Sequence, residues 1–596
     1  MLELATASDT LSQDTAAQPR LEFPSPFTYI VSKPIPLVEL RLRFFAREIH
    51  EKSHWWKKVH DEDIVARWKS EIVNFDREMV GRFWAVEERI NLQEGYKEKQ
   101  WPRDPITETQ LNHLFDKLRY DAKQRDKKTG AMQTAIPMVY EASALIPARL
   151  KSAIRMLARE LEDVPEDQKD WHPGSNKQVL DLVHPSLFSL RIGHSFIRNS
   201  FDGYPDVLRR LSEDEYFRCR PDIERRADAW NTQDFGTRLP FEFTVSKAFQ
   251  WLPTDFEIRA DGRIASKGYI NNLQPVHYGE GYLTISSILE RFIPMFERVL
   301  SDQLSPPPPS IVPIDPTMWY VGVEFPDDAR SPSVELDEWM RRNHLPEIPE
   351  VLPFRPPGGE GRVPFNLKGR TIQVIVKMAN IVLNPENPTY QGGSWHVEGM
   401  ANEKIVATGL YYYDSDNITE SKLMFRAAVG DGECNSAALL DYEQYDYYGY
   451  LVAYGVTNGL PLNQQLGHVI AQEDKCVVFP NIYQHRVARF ELADPSRPGH
   501  RKILAFFLVD PLTPVHSTSV VPPQQAHWYR DAVYNAGAFR RLPTELVEVI
   551  LAYASEGTIT MEEAEQCREE LMKERARFVV EHNEDIFEAS FAMCEH

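Results

Sequence analysis

Two histidines and a glutamate carry the clearest chemistry in this chain of 596 residues. His396 and Glu398 stand two positions apart in Gly393-Ser-Trp-His-Val-Glu-Gly399. Side chains on a strand alternate with period two, so both project from one side. A second imidazole arriving from elsewhere completes a set of two histidines and one carboxylate. Such a set grips Fe(II) on three corners of an octahedron and leaves three open. The candidate is His485, in Phe479-Pro-Asn-Ile-Tyr-Gln-His485, 89 residues downstream. Gly392, Gly393 and Gly399 flank the motif and permit tight turns and close backbone approach. A plainer reading stays open: His396 and Glu398 as hydrogen-bonded surface residues, and His485 as a satisfied core histidine.

A fourth residue bears on the choice. Arg501 opens the apolar run Ile503 to Val509, where its guanidinium can offer two parallel hydrogen bonds to a carboxylate. The competing role is a surface ion pair with Asp494 or Glu491. Lys502 alternates to the other face, though a slip in register exchanges the two. Lys377, Asn380, Thr408 and Tyr411 lie on or beside neighbouring strand-like segments and are candidates to line the same cavity. Arg486 points away from His485's side and reads as structural. The aromatic stretch Tyr442 to Tyr450 is either a substrate rim or ordinary packing.

The elements that must position these groups read as α+β. Val38, Leu42, Phe45 and Ile49 fall on one helical face, and Asp61 to Phe75 and Pro147 to Leu161 repeat that pattern. The Trp-rich piece His54-Trp-Trp-Lys-Lys58 reads as an anchor of helix packing. Short strand-like runs at Leu187 to Ile192 and Phe241 to Val245 precede a helix from Ser286 to Leu300, which Pro294 is expected to kink. Ser305-Pro-Pro-Pro-Pro-Ser310 reads as a stiff connector. Strand-like runs follow at 371–377, 405–413, 476–482 and 503–509, separated by turn-prone pieces. The spacing predicts a jelly roll or related double-sheet barrel. Thr560 and Glu563 form a capping-box match that opens a charged helix. The expected organisation is a disordered 1–25, a helical 26–165, a mixed 166–310, a β core over 311–520 and a helical 521–596.

Composition sets outer limits. A net charge of −21 argues against nucleic-acid binding, because phosphate backbones need basic surfaces. The five cysteines show no CxxC and no regular spacing, which fits a reducing compartment and argues against a disulfide framework or a zinc ribbon. No apolar run reaches membrane-spanning length, and Met1 to Arg20 lacks a signal-peptide pattern. A cytoplasmic location is expected, with the nucleus as an alternative.

The order Gln373 to Lys377, Trp395-His-Val-Glu398, Ala407 to Tyr412, Val478 to His485 and Gly499-His-Arg501 resembles the iron(II)/2-oxoglutarate dioxygenases, in their prolyl-hydroxylase-like branch. The wider chain also resembles a fungal family of unknown function through Gly392 to Met400, Tyr411 to Ser415 and Val521 to Gln524. The first resemblance implies a double-stranded β-helix with His396, Glu398 and His485 on Fe(II). It further implies 2-oxoglutarate as co-substrate held by Arg501, dioxygen, and a small-molecule or peptide substrate. Two departures stand out. Glu398 replaces the commoner Asp, and the 16-residue gap from His485 to Arg501 requires Ala493 to Pro498 to loop outward. A cupin-like metal enzyme without a keto acid, and a non-catalytic interaction protein on the same barrel, are the competing functions.

Overall fold

The computed structural model describes residues 21–28, 32–84, 100–199, 207–224, 242–315, 319, 347–359, 361–430, 449–456, 459–537 and 539–591. The expectations for most of 1–25 and for Tyr442 to Tyr448 fall outside these residues. The helices that matter most for the site are α1 (Leu37–His50), α2 (Glu62–Trp84), α3 (Glu108–Gln124) and α4 (Ala148–Glu162). After strands β1 (Val179–Val183) and β2 (Thr254–Ile258) comes the long α5 (Gly279–Leu304). The remaining strands are β3 (Thr371–Leu383), β4 (Ile405–Asp416), β5 (Lys422–Ala428), β6 (Asn463–Ile470), β7 (Cys476–Pro480), β8 (Gln484–Val487) and β9 (Gly499–Val509). A last long helix, α6 (Met561–His582), starts on the Thr560–Glu563 capping box. The architecture is α+β with antiparallel sheets.

The larger sheet runs β7–β4–β9–β3–β2, with β1 also pairing β3 and short strands extending both ends. Its backbone register is set by pairs such as Val374↔Leu508 and Thr408↔Phe507. A smaller sheet runs β6–β5–β8. Successive strands from β3 onward therefore move between two sheets rather than forming one meander.

Alternation along β9 divides the core in two. Leu504, Phe506 and Leu508 pack with Phe292 and Phe296 of α5, on the outer face. Ala505, Phe507 and Val509 pack with Leu423, Phe425 and Ala427 of the smaller sheet, on the inner face. Each strand that carries site residues inherits this division, because period two assigns alternate residues to opposite faces.

Several expectations are corrected. The helix expected from Ser286 starts at Gly279 and runs unbroken through Pro294. Its buried stripe, which includes Ile285, Leu289, Phe292 and Phe296, offsets the hydrogen bond that Pro294 cannot donate. Only Leu190–Arg191 of the 187–192 run is strand, and Glu242–Thr244 is a 3-10 turn. Strands β5 and β6 were not anticipated. Asn463-Gln-Gln-Leu-Gly-His468 carries little β-prone character, and β6 sits at a sheet edge where pairing with β5 decides its conformation. Among the described residues Cys219, Cys476 and Cys567 are free, and no helix is long and apolar enough to cross a membrane.

Gly409 on β4 marks a tight contact between sheet and helix. A Cβ there would lie 2.9 Å from ring atoms of both Phe292 and Phe296. Gly409→Val should therefore destabilise the protein by about 1–3 kcal/mol through overpacking, read from the midpoint of urea unfolding. An unchanged midpoint would contradict this account of the interface.

Candidate metal centre

After β3 the chain turns at Asn384 to Asn387 and returns beside β8. Gly392 has φ +96°, and a Cβ there would meet the Val487 carbonyl oxygen at 2.8 Å, so close approach demands glycine. Gly393 N–H donates to that same carbonyl at 3.0 Å. Three residues later His396 and His485 exchange both backbone hydrogen bonds, at 3.2 and 3.0 Å. This pairing extends the smaller sheet by one bridge and sets the two imidazoles side by side, ring centroids 4.4 Å apart.

Asn481, in the turn between β7 and β8, fixes the glutamate. Its side-chain oxygen accepts the Glu398 N–H at 2.8 Å, and its amide donates to the carbonyls of Glu398 and Ile405 at 2.9 and 3.0 Å. Sequence reading saw Asn481 only as a turn residue. Its position directly after the strand-ending Pro480 was the available signal.

Glu398 Oε1 lies 3.2 Å from His485 Nε2 and 3.8 Å from His396 Nε2. One potential ligand atom from each residue falls within 4.8 Å of the others. His396 Nδ1–H donates to the Ser394 carbonyl at 2.9 Å, which leaves Nε2 unprotonated and facing the group. Burial and the neighbouring His485 lower the His396 pKa to about 4, against the pull of Glu398, so the ring is neutral and able to ligate near pH 7. Burial alone would raise the Glu398 carboxyl. The hydrogen bond from His485, with the charges of His396, His485 and Lys377, holds it down at about 2. His396 retains 34% of its side-chain surface, whereas His485 retains 5%. The group thus has one open side. Two imidazoles and one carboxylate suit a divalent cation such as Fe(II).

Beside the site, Trp395 lies between two guanidinium groups, Arg426 at 4.9 Å and Arg486 at 4.5 Å. The next turn is tied to α6, because the buried Glu403 carboxylate accepts from Trp251 N–H and pairs with Arg575 at 2.6 Å.

A second group of ligand-type residues, His172, Asp181 and His184, was not anticipated. Its protons are arranged differently. His184 Nδ1 accepts the Ser186 N–H at 3.2 Å, so the neutral ring carries its proton on Nε2, 3.8 Å from Asp181 Oδ2. His172 Nδ1 meets the same oxygen at 2.7 Å. This is a carboxylate with two imidazoles turned toward it, whereas the His396 group presents a bare nitrogen.

The other sequence candidates divide by face. Arg501 shares the inner face with Ile503 and Ala505 and is 3% exposed. Its Nη1 donates to Ser421 Oγ at 2.6 Å, and its guanidinium sits 5.4 and 5.5 Å from the rings of Tyr412 and Phe490. Among the described residues it has no carboxylate partner within 4 Å, and Nε is buried without a hydrogen-bond partner. The surface pair with Asp494 goes instead to Arg497, in an exposed turn. Lys502 points outward and pairs with Glu162 of α4 at 2.8 Å. Lys377 follows Ile375 on the inner face by alternation, and its charge reaches both Glu398 and Asp181. Thr408 shares that face, opposite Phe479 and Phe507.

Asn380 and Tyr411 are corrections. Asn380 bonds Glu162 at 2.8 Å and Tyr413 at 3.2 Å, while Tyr411 packs in the outer cluster and reaches Asp474 at 3.3 Å. Both lie on the helix side of the sheet. Tyr412 and Ser421 are the residues that surround Arg501.

Comparison with known proteins adds a family. Residues 108–532 match the family described as "Protein of unknown function (DUF4246)", and residues 4–71 match its N-terminal domain of unknown function. The chain belongs to the DUF4246 family. No curated protein matches this DUF4246 chain. Among solved structures it is similar to IDO from Bacillus thuringiensis, at 10% identity and TM-score 0.14 over 24% of this chain and 46% of that one. The chain thus spans under half the length of IDO. It is similar to the Fe(II)/(alpha)ketoglutarate-dependent dioxygenase TqaL, at 8% identity and TM-score 0.20 over 45% and 70% of the two chains. A bsmA homolog from Methylobium petroleophilum gives 9% identity and TM-score 0.23 over 62% and 85%. Likenesses this low carry no argument about the activity of the DUF4246 chain.

Two outcomes follow from the geometry. Asn481→Ala strands three buried backbone groups and should weaken binding of a divalent metal by about 10- to 100-fold, measured by calorimetric titration. Equal affinity in both proteins would remove Asn481 from the site's support. Burial, aided by Lys377 and opposed by Asp181, lowers His184 to about 3, from 6.5 in the unfolded chain. Its contribution to stability is complete above pH 6.5 and declines as pH falls toward 3, because only the unfolded chain takes up the proton in that window. Urea unfolding across that range should show a shallower pH slope in His184→Gln.

Proposed function

We propose that this chain is an iron(II)- and 2-oxoglutarate-dependent oxygenase on a double-stranded β-helix. Strand order supports the fold: β3, β9, β4 and β7 make one sheet, and the His396 segment, β8, β5 and β6 make the facing one. The observation that carries the function is Arg501, a buried guanidinium with no carboxylate partner among the described residues, on the inner face that also bears His485's aromatic neighbours Phe479 and Phe425. A buried charge is costly unless paired, so this position favours a ligand that brings its own carboxylate.

His396, Glu398 and His485 would hold the metal. Arg501 and Ser421 would receive the distal carboxylate of the keto acid, with Tyr412 as one wall. Bound iron(II) would supply dioxygen activation coupled to oxidative decarboxylation of 2-oxoglutarate and oxidation of a substrate C–H bond. The inner-face side chains Phe479, Phe507 and Leu410 exclude water from that region. Lys377 adds positive charge beside Glu398 and favours an anionic co-substrate. The substrate is a small molecule or peptide that enters at the open side of His396.

Anaerobic addition of 2-oxoglutarate to the Fe(II)-loaded protein should produce a visible charge-transfer band. Glu398→Ala should abolish 2-oxoglutarate turnover. Arg501→Gln should raise the KM for 2-oxoglutarate by about 10- to 100-fold, the value of a charged hydrogen bond, with a smaller change in kcat. Metal binding with no band and no keto-acid turnover would instead point to a cupin-like enzyme.

A further inference from the structure

A cleft of about 210 Å³ lies between the helical layer and the edge of the larger sheet, lined by His50, His54, Trp56, Arg125, Ser143 and Lys475 among others. It includes the Trp-rich stretch, whose Trp55 is a buried packing anchor while Trp56 forms part of the cleft wall. Lys475 is internally balanced, paired with Glu141 at 2.9 Å and Glu51 at 3.7 Å. Arg125 is not. Its guanidinium lies 3.8 Å over the Trp56 ring, and its hydrogen bond to the Asp126 carbonyl is long, at 3.4 Å. It forms no ion pair within 4 Å among the described residues.

The backbone keeps this guanidinium uncovered. Gly130 has φ +72°, and a Cβ there would lie 2.6 Å from Arg125 Nη2 and 3.2 Å from Ser143 Oγ. Those two donors therefore lie within 5.8 Å of each other (the sum of 2.6 and 3.2 Å), close enough for one small anion to bridge them. The rim residue His54 holds a left-handed φ of 55°, a conformation that costs a non-glycine residue about 1 kcal/mol or more and clusters at ligand sites. A stacked arginine keeps its planar fork of N–H donors free for an oxyanion.

We infer that this cleft is a second ligand site, separate from the metal centre, which binds a compact oxyanion through Arg125 and Ser143. A carboxylate and a phosphate monoester share the chemistry it recognises. The bound anion would join the Glu51–Trp56 turn, the loop before Gly130 and the sheet edge at Ser143.

Calorimetric titration of the full, metal-stripped chain at constant ionic strength tests this, with inorganic phosphate in one arm and acetate in the other. Saturable binding is expected in at least one arm, and the arm that binds identifies the anion class. Arg125→Gln should weaken it by about tenfold or more. Ser143→Leu, which fills the cleft from an exposed position and leaves Arg125 in place, should do the same. Absence of saturable binding in both arms, or equal affinity in wild type and both variants, overturns the site. Neither result depends on iron or 2-oxoglutarate, so it stands apart from the proposed oxygenase activity.

Discussion

The pair of backbone hydrogen bonds between His396 and His485 is the constraint on which the centre depends. They join segments far apart in the chain and make the imidazoles neighbours before any metal arrives. Ligand geometry is thus set by main-chain pairing and not by the ion alone. The tight approach at Gly392 and the three hydrogen bonds of Asn481 defend the same arrangement from either side. A site prepared in this way loses little conformational freedom on binding, which is where preorganisation contributes affinity.

Charge follows the same order. Glu398 supplies one negative charge among groups that are neutral or positive, and its pKa is low because protein donors and cations already surround it. Asp181 is held low by comparable partners, with burial working against them. The two carboxylates differ in what their imidazoles do with protons. The Ser394 carbonyl accepts a hydrogen bond from one ring and frees a nitrogen, whereas the Ser186 N–H donates to the other and turns the ring proton inward. A single backbone group thus sets the tautomer of His396 and of His184, while each cluster keeps its ligand atoms within 4.8 Å of one another.

Much of the centre was legible because its signals are local. His396 and Glu398 share a side by period two, and the adjacent glycines announce the turns. That Arg501 and Lys502 face opposite sides of β9 also followed from alternation, and pairing with β3 and β4 fixes which side each takes. Alternation alone cannot say which face is which. Asn380 and Tyr411, placed on strands as candidates for the cavity, lie instead on the helix side of the sheet. Strand β6 was missed because its conformation comes from pairing with β5 and not from its own Asn, Gln and Gly residues. The His172 group joins a loop to β1, a contact that no local pattern encodes.

The tie between Glu403 and Arg575 has a mechanical consequence. Glu403 is fully buried and sits five residues past Glu398, while its cationic partner belongs to α6, 172 residues further along the chain. A buried carboxylate stripped of its cation is costly, so a loosened α6 would be felt at the turn that follows Glu398.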